Sequence, residues 1–163
     1  MELKEAGIVS GDGENFRPTD KVTREEFVKM LVLSLGITPE GSADFDDVAS
    51  DAWYHDYIAV AVEKGIVNGL SDSEFGIGRS ISRQDMAVMT VRALTSFEAE
   101  LQGGEAPVFT DGDQIADYAT EAVETLAAAG ILAGTDGKFA PADNLTREQA
   151  AKVLCMIRKE LTK

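Results

Sequence analysis

Three arginines of this chain share one chemical setting. Arg24 follows Thr23, Arg83 follows Ser82 and Arg147 follows Thr146. Glu25 and Glu26, Gln84 and Asp85, and Glu148 and Gln149 come next. A hydroxyl residue followed three positions on by an acid or amide is the spacing of a capping box, fully or nearly. Each phrase therefore predicts a helix start. An arginine in the first turn meets the positive end of the helix dipole, which costs roughly 0.3–1 kcal/mol when exposed. Two arrangements offset that cost. In one, the guanidinium folds onto a carboxylate of a neighbouring segment, such as Asp44, Asp46, Asp47 or Asp111, a pair worth ~0–1 kcal/mol at a surface. In the other, guanidinium, cap hydroxyl and helix N-terminus together hold a carboxylate or phosphate from outside. All three favour an anion, and the arginine fork matches a carboxylate through two parallel hydrogen bonds. The two arrangements can coexist at different copies.

Little else in the chain offers chemistry. His55 stands beside Tyr54 and Asp56 with no triad partner in motif spacing. There is no nucleophile motif, metal cluster or phosphate loop, so an enzyme is not expected, nor a cofactor or metal. Cys155 is the single cysteine and reads as a buried, inert thiol. It excludes an internal disulfide framework and any zinc site built on several cysteines. Asp12-Gly13-Glu14-Asn15 and Asp136-Gly137 lack the twelve-position ligand series of a calcium loop, and turn chemistry is the better reading.

The arginine phrase belongs to a repeat of about sixty residues. Ile8-Val9-Ser10-Gly11, Ile66-Val67-Asn68-Gly69 and Ile131-Leu132-Ala133-Gly134 align, as do Phe16, Phe75 and Phe139. Each unit reads as helix, glycine-rich connection, helix. The first helix of unit two is expected from near Asp51 or Trp53 to Gly65, and that of unit three from near Ala116 or Tyr118 to Gly130. Both glycines are left-handed stops. In unit one the equivalent glycine is Gly7, with six residues before it. That unit lacks the front half, so the chain reads as an excised fragment or as one whose N-terminus is built differently.

The second helices carry apolar stripes at Phe27, Met30 and Ser34, at Met86, Met89 and Ala93, and at Ala150, Val153 and Ile157. Helices with one apolar face bury it only against one another or against the first helices of the units. The expected fold is all-α, a pseudo-threefold helical bundle of three helix-loop-helix repeats, with loops or very short strands around Phe16, Phe75 and Phe139. The expected organisation is one domain over residues 1–163, with units at 1–37 (partial), 44–101 and 108–163. Segments 38–42 and 102–107 join them.

Composition sets outer limits. Hydrophobic residues make up 44% of the chain, enough for a globular core. A formal net charge of −14 disfavours nonspecific attachment to nucleic acid or anionic membranes, yet leaves room for a local basic pocket. No apolar run is long enough to cross a bilayer. No signal peptide is visible, so the export signal of any exported parent would lie outside this segment.

The repeated phrases carry a specific resemblance. Phe45-Asp46-Asp47-Val48 followed by Trp53, then Gly65-Ile66-Val67-Asn68-Gly69, then Gly137-Lys138-Phe139-Ala140-Pro141 with Phe16-Arg17-Pro18 in unit one, and finally the three arginine signatures make up the family's unit. The chain resembles the S-layer homology domain of bacterial cell-surface proteins over nearly its whole length. The resemblance implies noncovalent anchoring to the bacterial cell wall or S-layer, outside the cell. The implied partner is a secondary cell-wall polysaccharide bearing a pyruvate ketal on N-acetylmannosamine, held in grooves between units. By the resemblance, Thr23 with Arg24, Ser82 with Arg83 and Thr146 with Arg147 hold the anion. Trp53 and Tyr118 form apolar walls, and Gly11, Gly69 and Gly134 let the sugar approach the backbone. The groove joining units one and two is implied to be most complete, because Arg24 and Trp53 are both present.

The chain also departs from the family pattern. Unit one has no Phe-x-Asp-Val or Trp. Unit two has Ile77 where proline is usual. Unit three has Gly112 for valine and Tyr118 for tryptophan. The signature's third residue is Glu25, Gln84 or Glu148 in place of alanine. These departures leave a second reading open: a structural or protein-interaction module that keeps the fold without binding the polymer.

Overall fold

The computed structural model describes residues 17–162. Gly7, Gly11, Phe16 and the Asp12–Asn15 segment lie outside the described residues. Among the described residues there are five helices, α1 (Arg24–Ser34), α2 (His55–Glu63), α3 (Arg83–Ser96), α4 (Asp117–Ala128) and α5 (Arg147–Leu161), with one 3-10 turn at Gly112–Gln114. Among the described residues there are isolated bridges but no sheet. The expected all-α architecture holds.

The helix ends obey the signals in the chain. α1, α3 and α5 start at the three arginines, with Thr23, Ser82 and Thr146 as extended N-caps. Glu26 accepts from the Thr23 N–H at 2.9 Å and Gln149 from the Thr146 N–H at 3.1 Å. At the other ends, Gly65 and Gly130 take φ of +69° and +71°. The amides of Ile66 and Ile131 turn back to the carbonyls of Ala61 and Leu126 at 2.8 and 2.9 Å. That is a Schellman closure, which needs a residue free of Cβ strain at the left-handed position. α2 begins one turn later than the sequence suggests, because residues 49–54 form turns.

The repeat closes on itself through the residues that precede the arginines. The Val22 amide donates to Leu145 O, the Leu145 amide to Ile81 O and the Ile81 amide to Val22 O, each at 2.9 Å. A second ring runs outside the first: the amides of Arg24, Arg83 and Arg147 donate to the carbonyls of Arg79, Asp143 and Asp20, also at 2.9 Å. These amides belong to the first helical turn and have no partner within their own helix. Each is capped by the next unit, and the third by the first. The side chains of Val22, Ile81 and Leu145 are fully buried at the centre of this ring.

The three stripes meet as expected. Phe27, Met30, Met86, Met89, Ala93, Ala150, Val153 and Ile157 are all buried, and Ser34 sits among them with its hydroxyl donating to Met30 O at 2.7 Å. α2 packs on α1 and α4 packs on α3, so the front helix of one unit covers the back helix of the unit before it. α1 also touches α3 and α5. The Asp136-Gly137 turn has positive φ at both residues, with Thr135 and Lys138 exchanging hydrogen bonds at 2.9 and 3.0 Å. This is a two-residue hairpin of the primed type, so turn chemistry accounts for it.

Candidate functional site

Arg24 and Arg83 each reach out of their own helix into the loop of the next unit. Arg24 Nε donates to Phe75 O at 3.1 Å and Nη2 to Asn68 O at 3.2 Å. Arg83 repeats this with Phe139 O at 2.8 Å and Ala133 O at 3.2 Å. The guanidinium carbons lie 5.1 and 4.9 Å from the centres of the Phe75 and Phe139 rings, within cation–π range. Burial lowers the pKa of both side chains. Asp85 opposes it at Arg24, and Asp143 and Asp111 oppose it at Arg83. Both stay charged, as arginine does in proteins.

The carboxylate partners anticipated for these arginines are therefore corrected. The acceptors are backbone carbonyls of the neighbouring unit, not Asp44, Asp46, Asp47 or Asp111. The reason is visible in the loops. Asp47 accepts from the amides of Phe75, Gly76 and Ile77 at 2.8, 2.7 and 2.9 Å. Asp111 accepts from Phe139 and Ala140, both at 2.8 Å. With these carboxylates turned onto the loop amides, the carbonyls of the same phenylalanines are left to the arginines. Burial works against the charge of Asp47, but its three loop amides outweigh that and hold its pKa below the usual carboxylate range. The Phe139 amide holds Asp111 low, against some burial, with Ala140 adding to it. The sequence signal for this role is the repeated Phe-x-Asp phrase, Phe45 to Asp47 and Phe109 to Asp111.

A cleft of about 530 Å³ opens beside Arg83. Gly134, Lys138, Thr146, Gln149 and Lys152 share its walls. Three expected site residues thus come together: Arg83, Gly134 and Thr146. The cap residue that lines this cleft is Thr146 of the next unit and not Ser82; both hydroxyls cap their own helices, accepting the Gln149 amide at 3.3 Å and the Asp85 amide at 3.2 Å. Arg83 and the cap residue before it are thus separated at this cleft, a division the linear phrase conceals.

The aromatic walls are likewise exchanged between units. Tyr118 Oη donates to Asp85 at 2.7 Å, and both groups act electrostatically on Arg24. Burial, then Asp85, raises the Tyr118 pKa to about 12. Trp53 is 53% exposed and stacks edge-to-face on Tyr54, with Lys29 Nζ 5.3 Å from its ring. Lys29 lies five positions beyond Arg24, about 140° around the helix. The rings that act on Arg24 are Phe75, within cation–π range, and Tyr118, electrostatically, while the cation beside Trp53 is Lys29. The Gln84 side chain, unassigned by the sequence, anchors α4 by accepting the Ala116 amide at 3.0 Å.

Gly69 and Gly134 are required by the fold itself. A Cβ on Gly69 would stand 2.5 Å from both Phe45 Cε1 and Ser71 O, and one on Gly134 would stand 2.5 Å from Lys138 O. Among the described residues, no group of three or more acidic, histidine or cysteine side chains could hold a metal ion. No helix of the described residues is long and apolar enough to cross a membrane.

The S-layer homology domain family matches residues 1–28, 44–87 and 108–151, well over half of the chain. The chain belongs to the S-layer homology family. Units of this family are cell-wall anchoring modules of S-layer proteins and cell-surface enzymes. Among the relatives, an endoglucanase of Bacillus sp. (strain KSM-635) is 37% identical over 94% of this chain and 16% of its own length. The surface-layer 125 kDa protein of Lysinibacillus sphaericus is 34% identical over 94% of this chain and 13% of its own. S-layer protein EA1 of Bacillus anthracis is 26% identical over 99% of this chain and 19% of its own. The S-layer homology chain thus spans less than a fifth of each. The match to the endoglucanase is to its anchoring part and carries no catalytic domain. Family membership sets the chain at the cell surface, attached to the wall.

Proposed function

We propose that this chain anchors a bacterial surface protein by holding a secondary cell-wall polysaccharide bearing a pyruvate ketal in the grooves between its units. The observation that carries the reading is the cleft beside Arg83. Two of the five N–H donors of this arginine are bonded to loop carbonyls, and among the described residues no carboxylate forms an ion pair with it. The remaining donors suit the ketal carboxylate. The Phe139 ring lies against the guanidinium at 4.9 Å, and the exposed rim around Gly134 and Thr135 accommodates a sugar ring.

A second reading is favoured at one copy. Arg24 is only 6% exposed and shares its surroundings with Asp85 and Glu25, so its groove suits a structural role. Retention on purified pyruvylated wall polysaccharide, compared with the same polymer stripped of pyruvate, tests the proposal. Binding that requires both the ketal and Arg83 supports it. Equal retention on the stripped polymer removes the carboxylate mechanism, and no retention on either leaves the scaffold reading.

A further inference from the structure

The surroundings of Arg24 and Arg83 are built on one plan but carry different charges at matching positions. The fourth residue of the arginine signature is Glu26, Asp85 or Gln149, and the seventh is Lys29, Val88 or Lys152. In the third unit the acid is replaced by its neutral amide. Gln149 still accepts the Thr146 amide at 3.1 Å, so the helix keeps its cap while the cleft loses an anion. Lys152 adds a cation on the next turn, and Lys138 adds another from the hairpin opposite. Both are exposed, and both line the cleft beside Arg83. The lining holds Arg83, Lys138 and Lys152 against the one carboxylate of Asp143, a positive spot on a chain of net charge −14. Around Arg24 the charges are more evenly matched: Asp85 lies there, held to Tyr118, and Glu25 beside it, with Arg79 as the second cation.

We infer that Lys138, Gln149 and Lys152 make the Arg83 cleft selective for a doubly charged saccharide, such as a sugar phosphate or a sugar carrying two carboxylates, over a singly charged one. The inference rests on reading the cleft as a site for anionic saccharides. It adds which of the grooves takes the more highly charged part of a wall polymer, and through which side chains. Arg83 supplies a fixed fork for one anionic group. The lysines are mobile point charges that respond to total charge and not to shape.

The test uses two small probes at pH 8, glucose 6-phosphate, which carries two charges there, and glucuronate, which carries one. Titration of the labelled chain is followed at the amides of Gly134 and Thr135. The expected result is tighter binding of the phosphate, by about threefold or more for two partly exposed lysine contacts. Lys138→Ala combined with Lys152→Ala brings the two affinities together, Gln149→Glu narrows the gap with the cap intact, and Arg83→Ala weakens both probes. A preference that survives the double lysine change, or Gly134 and Thr135 amides that respond to neither probe, overturns the inference. Phosphate preference with no retention on pyruvylated polymer would sink the ketal reading and leave this one standing.

Discussion

Arg24 and Asp47 hold the two polar ends of Phe75. The guanidinium takes its carbonyl and the carboxylate takes its amide, while no ion pair joins the two charged groups among the described residues. Arg83 and Asp111 repeat the arrangement on Phe139. An arginine misplaced for its own helix is thereby well placed for the loop of the next unit. The same bonds fix the guanidinium at the edge of a groove, which ties the stability of the loop to the readiness of the site.

Stability and binding should separate between the two arginines. Arg24→Ala removes two charge-assisted bonds at a buried position, with an expected loss of ~1.5–3 kcal/mol. Urea unfolding measures it. Arg83→Ala, at a more open position, should lower the urea midpoint less but cut retention on pyruvylated polymer about tenfold or more, with Arg83→Lys restoring part. Equal unfolding losses and unchanged retention would contradict the assignment.

Acid should loosen the loops. Asp47 and Asp111 have pKa values held below the ordinary carboxylate value, so their stabilisation is present above that value, about 3.9. It is lost as pH falls below that point through the lower folded values. Asp47→Asn keeps the size but brings amide hydrogens toward three N–H donors. The expected outcome is a lower Tm at pH 7 and a smaller further drop from pH 5 to pH 2 than in the parent, read by thermal melts.

Gly134→Ala tests whether the glycine serves the fold or an incoming sugar. A methyl there would press on the Lys138 carbonyl, so a loss of ~1–3 kcal/mol is expected without any ligand present. An alanine variant with parental stability and weakened polymer binding would instead make sugar approach the reason for the glycine.

Tyr118 should titrate late. Its phenol pKa is pushed up to about 12, so the bond to Asp85 is intact below the ordinary tyrosine value of ~10 and is lost as pH rises through the folded value. Of the three tyrosines, one should lag in an alkaline absorbance titration. Tyr118→Phe should remove the lagging step and cost no more than about 1 kcal/mol in a denaturant melt. Persistence of that step would assign it elsewhere.

Much of the helical plan was legible because it rests on short-range rules. Cap residues, glycine stops and one-sided apolar stripes act within a few positions, and Thr23, Gly65 and Met86 each signal their role locally. The groove was legible only in part. Arg83, Gly134 and Thr146 were each recognisable, but their grouping depends on how one unit rotates onto the next. Nothing in the phrase Thr146-Arg147 reveals that Thr146 lines the cleft of Arg83. The sequence offers Trp53 as a wall for Arg24 because units one and two supply one of each, but only the fold shows that the cation at Trp53 is Lys29 and that the rings at Arg24 are Phe75 and Tyr118. Asp47 and Asp111 were visible as repeated letters, yet their work on distant loop amides required the third dimension.

The backbone circuit through Val22, Leu145 and Ile81 has a consequence for how such a chain varies. An open stack of repeats can grow or shrink by one member at either end. A closed loop of three cannot: a fourth member finds no free donor or acceptor, and losing one leaves two raw ends. Unfolding should therefore be all-or-none, and change in this lineage is expected to alter the sides of individual units while their number stays constant.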